Sequence, residues 1–152
     1  MNQKTYRITT ETLAILSMYD MKYQSKIIEM TNDVFVKEPP FTIIKTNCLF
    51  GGSSYNGRME AVKYYLDFQQ KIPVPIYPTE RIYAFPTKSP NDISCIWLFW
   101  HAIQSIQTNP YGTQAHLVNN ETITITLAES QYSIQKQYER TGMCMVIFNR
   151  LG

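Results

Sequence analysis

Charge is scarce in this 152-residue chain. Asp, Glu, Lys and Arg together make up 17%, against roughly a quarter in an average soluble protein. The net charge is +2 and the pI about 8.4, below the value of ~9 that advertises many DNA-binding domains. A broad single-signed field for drawing in nucleic acid is therefore absent. Cysteine is also sparse: three thiols cannot pair completely, which excludes a full disulfide framework and points to a reducing cytoplasm. Long hydrophobic runs are missing. The longest, residues 93–103, falls well short of the ~20 residues that span a bilayer. The apolar stretch Leu13–Leu16 is too short for a signal peptide, and no small-x-small cleavage site follows it. There is no internal repeat, no low-complexity tract and no long linker, so one domain over residues 1–152 is expected.

What is present is apolar and aromatic: 44% hydrophobic, 13% aromatic, with eleven tyrosines. That composition supports a packed core and argues against disorder. The charge is unevenly placed. Residues 1–36 are balanced, and residues 89–152 carry one excess acid. Residues 37–88 carry seven bases (Lys37, Lys45, Arg58, Lys63, Lys71, Arg81, Lys88) against four acids. Solvated surface lysines explain such a surplus before a binding face does.

Alternating and β-branched segments predict strands at Thr12–Tyr19, Tyr23–Met30 and Asp33–Val36, with the pair Pro39-Pro40 as punctuation. A helix is predicted from Ser53 or Ser54 to Phe68, because Tyr55, Met59, Val62 and Leu66 form one apolar stripe behind a serine cap. Gly57 in its first turns implies close approach of another group. Alternate prolines from Ile72 to Pro78 predict an edge strand or an extended segment, followed by a turn at Thr79-Glu80 and a strand from Arg81 to Phe85. The run 93–103 suits a doubly buried strand better than a helix. Residues 116–127 read as a hairpin turning at Asn119-Asn120, with Ile123, Ile125 and Leu127 inward. A final helix starts near Ser130, its apolar face holding Ile134, Tyr138, Met145 and Phe148, with Gly142 as a point of fraying or bending. The expected fold is α+β, an antiparallel β-rich domain with one central and one C-terminal helix.

Few chemical motifs survive inspection. Gly52 to Met59 has P-loop glycine spacing, but Met59 stands where a magnesium-ligating hydroxyl is needed and Arg58 where the phosphate lysine belongs. The same segment suits a single phosphate held by backbone N–H groups and Arg58, or simply a capped helix after a tight turn. Cys48, Cys95, Cys144, His101 and His116 lack metal-ligand spacing, and no nucleophile-elbow or paired-carboxylate motif exists. No metal, no cofactor and no enzymatic activity are expected. Trp97 and Trp100 read as core before they read as base-stacking platforms.

The stretch Cys48-Leu-Phe-Gly-Gly-Ser-Ser-Tyr-Asn-Gly-Arg58 resembles the signature of the competence transcription factor ComK family of Gram-positive bacteria, Cys-x-Phe-x-Gly-Ser-Ser-Tyr-x-Gly-Arg. Flanking likenesses run through Ser25–Glu29, Arg81–Thr87, Cys95-x-Trp97 and Asn120-Glu-Thr-Ile123. The resemblance implies a cytoplasmic activator of DNA-uptake genes that reads paired AT-rich boxes through the minor groove as a dimer. Minor-groove readout depends on groove width and on a few cations among neutral polar groups, so it tolerates a low charge. Candidate DNA contacts are Gly52, Ser53, Ser54, Tyr55, Gly57, Arg58, Lys63, Lys71, Arg81, Lys88 and Asn119. Expected partners are AT-rich duplex DNA, a second copy of the chain and RNA polymerase, with no membrane. The second half is similar to the LytTR type of β-rich DNA-binding domain. Two departures stand out. Longer members carry a tail recognised by an adaptor for regulated proteolysis, whereas this sequence stops at Leu151-Gly152, which counts against that route of control here, and the run at 97–100 is more apolar than the family's. The alternative is an interaction module that has lost DNA binding and acts through Trp97–Ile103; a third class is a small enzyme using Cys48 or Cys95 near a histidine.

Overall fold

A computed structural model describes residues 5–119 and 123–151. Strands β1 (Thr12–Ser17), β2 (Ser25–Glu29) and β3 (Asp33–Val36) form a meander. Two helices follow, α1 (Pro40–Phe50) and α2 (Tyr55–Tyr65), then β4 (Val74–Tyr77), a 3-10 turn at Pro78–Glu80 and β5 (Ile82–Pro86). Strand β6 (Trp97–Phe99) runs into a 3-10 turn at Trp100–Ala102 and then β7 (Ile103–Asn109), β8 (Gly112–Leu117), β9 (Ile123–Leu127) and α3 (Gln131–Leu151). The first six strands make one antiparallel sheet in the order β3-β2-β1-β6-β5-β4, and the last three make a second, β7-β8-β9.

The α+β class holds, with a correction. Two helices, not one, lie in the middle of the chain. Pro39-Pro40 reads as a breaker, yet Pro40 occupies the first helical turn, where a missing N–H removes no intrahelical bond. The polar strand β7 also gave no pattern to find: Gln104, Gln107, Thr108 and Asn109 are all exposed.

The register of β5 and β6 pairs Ala84 with Phe99 and Pro86 with Trp97, so Trp97 and Tyr83 face opposite sides of the sheet. Trp97 stacks against Phe41 of α1 at 6.0 Å, whereas Tyr83 meets Phe148 of α3 edge-on at 6.4 Å. Helices therefore cover both faces, which is why every residue of β4, β5 and β6 is buried. Residues 93–103 are accordingly part strand, part 3-10 turn. Strand β4 is the sheet edge its alternate prolines required.

Helix α3 opens on Ser130, whose Oγ accepts from the Ser133 N–H at 3.1 Å. It runs unbroken through Gly142. A Cβ there would sit 3.1 Å from the Trp100 indole nitrogen, so the missing side chain lets Trp100 lie against the helix and stack on Tyr138 at 5.3 Å. The hairpin turn at Asn119-Asn120 extends outside the described residues, but β8 and β9 pair as expected and Ile125 and Leu127 are buried.

Candidate nucleic-acid interface

The signature segment is the corner between α1 and α2, packed onto edge strand β4. Asn47, fully buried, immediately precedes it, one helical turn before Gly51. Its Oδ1 accepts from the Ile8 N–H at 2.9 Å and from the Tyr77 hydroxyl at 2.8 Å. Its Nδ2 donates to the carbonyls of Tyr6 and Ile43, both at 2.9 Å. Four bonds complete its capacity and tie the N-terminal segment, α1 and β4 together.

Gly51 then passes so close to β4 that a Cβ would lie 2.2 Å from the Ile76 carbonyl oxygen. Gly52 follows at φ +101°, in the region that favours glycine. Ser54 caps α2, its Oγ accepting from the Gly57 N–H at 2.9 Å. A Cβ at Gly57 would fall 2.6 Å from Ser53 Oγ, so the close approach expected there is to the serine hydroxyls. The Arg58 guanidinium folds back under the corner, donating to the Gly51 carbonyl at 2.8 Å and reaching the Ile76 carbonyl at 3.5 Å. Tyr55 is half-buried edge-on against Phe41 at 5.0 Å, and burial pushes its hydroxyl pKa up to about 12.

One side of α2 faces outward along its length. From Tyr55 and Asn56 in its first turn to Lys63 in its last, it forms with the loop to β4 a groove of about 580 Å³, completed by Gln69, Gln70 and Lys71, with Ser89 and Pro90 on the far wall. Lys63 is exposed in the last turn of α2. Lys71 has φ +49°, an uncommon backbone for a lysine, and α3 holds it there: Gln137 Nε2 donates to the Lys71 carbonyl at 2.5 Å. Arg140 reinforces the same loop. It donates to the Gln70 carbonyl at 3.1 Å and to Gln137 Oε1 at 2.7 Å, and lies over the Phe68 ring at 4.1 Å. Burial lowers the Arg140 pKa from its ordinary value. Two cations and three amides thus share a rigidly backed concave surface.

The remaining candidates lie elsewhere. Arg81, at φ +61°, lines a smaller groove with Pro78, Tyr83, Val146 and Asn149. Lys88 is paired with Glu129 at 2.8 Å, and that hydrogen bond raises its pKa. Asn119 donates to the Met30 carbonyl at 2.6 Å beside Glu29 and Asp33, an acidic neighbourhood. Lys45 sits over the Phe41 ring at 4.5 Å. Among the candidate cations, Lys63 and Lys71 line one groove, Arg81 lines another, Lys88 is held by Glu129 and Arg58 is turned to backbone carbonyls. Asn56, Gln69 and Gln70 carried no sequence signal, because only the fold brings them beside Lys63 and Lys71.

Other chemistry fares poorly. Cys48, Cys95 and Cys144 are all buried, and burial pushes the Cys48 thiol up to about 11 and Cys144 to about 12, the reverse of an activated nucleophile. Trp97, Leu98 and Phe99 are fully buried in the sheet centre, which removes Trp97–Phe99 from any docking surface. Among the described residues no helix is long and apolar enough to cross a membrane, and no cluster of His, Cys, Asp or Glu suits a metal ion.

A family model described as ComK protein matches residues 3–151. A competence transcription factor from Bacillus subtilis (strain 168) is 30% identical over 150 residues, which is 93% of this chain and 77% of that protein. No solved structure matches.

Proposed function

The chain belongs to the ComK family, and from that premise we propose that it is a competence transcription factor, a cytoplasmic DNA-binding activator of DNA-uptake genes. It reads AT-rich boxes through the minor groove, binds as a dimer and engages RNA polymerase. The match across nearly the whole chain carries this reading. The α2–β4 groove supports it, because Lys63 and Lys71 offer phosphate contacts beside the neutral donors Asn56, Gln69 and Gln70. Amides of this kind suit the acceptor-lined floor of an A·T-rich minor groove. The signature corner contributes by shape: Gly52, Ser53, Ser54, Tyr55, Gly57 and Arg58 set the angle at which α2 presents Lys63. Arg81, Lys88 and Asn119 lie outside the groove, and Lys88 must leave Glu129 before it can serve a phosphate.

Few phosphate contacts mean a shallow salt dependence and specificity drawn from groove width. Gel-shift titration with AT-box and GC-rich duplexes tests the proposal. Tighter binding to the AT boxes, competed by a minor-groove drug, supports it; equal affinity for both duplexes, or none at modest salt, refutes it.

A further inference from the structure

Both walls of the α2–β4 groove are held from the same end of the chain. Gln137 and Arg140 of α3 grip the wall that carries Lys71. The far wall is Ser89 and Pro90. The residue before them, Lys88, is bound to Glu129 in the connection from β9 to α3, Nζ to Oε2 at 2.8 Å. The main chain that carries Lys88 is pinned. Thr87 is buried, its N–H donating to the Ile96 carbonyl at 3.0 Å and its Oγ1 accepting from the Ile96 N–H at 2.9 Å. Cys95 Sγ donates to the Lys88 carbonyl at 3.5 Å. What is left to move is the side chain. The Lys88 side chain is 31% exposed and that of Glu129 only 10%, and among the described residues Glu129 has no ion pair but this one. The other acid near Lys88, Asp92, is turned to Ser94, accepting from its N–H at 2.9 Å and its hydroxyl at 2.7 Å.

We infer that Glu129 is an internal stand-in for a DNA phosphate: it holds Lys88 off the groove, and a bound duplex takes the lysine over. This deepens the DNA reading proposed above and rests on it. A carboxylate and a phosphate oxygen offer an ammonium the same charge-assisted hydrogen bond, and lysine meets either as a point charge. Consecutive Cα atoms lie about 3.8 Å apart, a step shorter than the four-carbon stem of lysine, so an ammonium released from Glu129 reaches the rim at Ser89. Lys63 and Lys71 line the groove with no ion pair among the described residues. Lys88 differs because it must first leave an acid that has little water and no second base. The exchange replaces one partner by another, so the strength of the pair that breaks sets how much affinity the new contact adds. Glu129 therefore lowers affinity for every duplex, and the connection from β9 to α3 acts as a latch on the third cation of the groove.

A double-mutant cycle of the full chain tests it: wild type, Glu129→Gln, Lys88→Gln and the two combined, each titrated against an AT-box duplex at modest salt. Glu129→Gln is expected to tighten binding about fivefold, and by the same factor on a GC-rich duplex, because a phosphate contact carries no sequence information. With Lys88→Gln in the same chain the gain is expected to vanish. A gain that survives Lys88→Gln is plain repulsion between Glu129 and DNA and overturns the inference. A Glu129→Gln chain that melts lower and binds no tighter marks the pair as a structural brace and overturns it too. Lysine acetylation read by mass spectrometry follows the contact without DNA: Lys88 is expected to react more slowly than Lys63, and Glu129→Gln to speed it. Equal Lys88 rates in wild type and Glu129→Gln count against the latch. A wild type indifferent to every duplex refutes the DNA reading and takes the inference with it. A wild type that binds AT boxes, beside a Glu129→Gln that binds them no tighter, refutes the inference alone.

Discussion

The corner at Gly51–Arg58 and the groove behind Lys63 and Lys71 are both built on α2 and share Tyr55 and Asn56, but Ser54 and Arg58 direct their polar groups oppositely to the groove residues. At the corner the polar atoms turn inward: Ser54 caps its own helix, Arg58 holds the Gly51 carbonyl, and Gly51 lies against β4 with no room for a side chain. At the groove, two cations and three amides face solvent while α3 grips the loop backbone behind them. The distinctive sequence motif therefore marks the place hardest to build. The solvent-facing groove beside it is composed of residues with no distinctive spacing.

This contrast predicts a graded series of effects. Gly51→Ala has the largest, because its Cβ would overlap the Ile76 carbonyl and force α1 away from β4. A loss of about 3 kcal/mol is expected, read from the urea midpoint, and a midpoint equal to wild type would break the account of the corner. Arg58→Ala comes next. Removing the bond to the Gly51 carbonyl should cost about 1–2 kcal/mol, and Arg58→Lys should recover only part of it, since a lysine ammonium ends one bond short of the Nη2 that serves both carbonyls. Arg140→Ala tests the backing of the groove. It frees the Gln70 carbonyl and Gln137 Oε1, so a stability loss of about 1 kcal/mol is expected, together with faster amide exchange in the loop ahead of β4. Unchanged exchange there would detach α3 from the groove. Lys63→Ala and Lys71→Ala should have the smallest effect on stability, within about 0.5 kcal/mol, while each weakens binding to AT-box and GC-rich duplexes by a similar factor.

Much of this architecture is legible in the residues. Serine before an apolar stripe announces α2, alternate prolines announce the β4 edge, and the threonine–isoleucine alternation announces β9. Helix α1 is hidden because it opens on Pro40 and carries apolar groups on more than one side, with Ile43 and Ile44 buried but Leu49 and Phe50 exposed. The direction of Arg58 is hidden for another reason. Its acceptors include a carbonyl 18 residues further along, on β4, and only the tertiary fold brings that strand beneath the corner. The same holds for the groove, whose shape depends on Gln137 and Arg140 arriving from the far end of the chain.

The central claim is that Arg58 builds the site and Lys63 with Lys71 touch the DNA. It is tested most directly by measuring AT-box affinity against salt concentration for two variants, Arg58→Ala and the Lys63→Ala, Lys71→Ala pair, beside their urea midpoints. The account predicts that the lysine pair flattens the slope of log affinity against log salt by roughly 2, about 0.9 per lost phosphate contact, with an unchanged midpoint. Arg58→Ala should lower the midpoint and keep the wild-type slope. An Arg58→Ala variant with a flattened slope and an unchanged midpoint, beside a lysine pair with the wild-type slope, would contradict it.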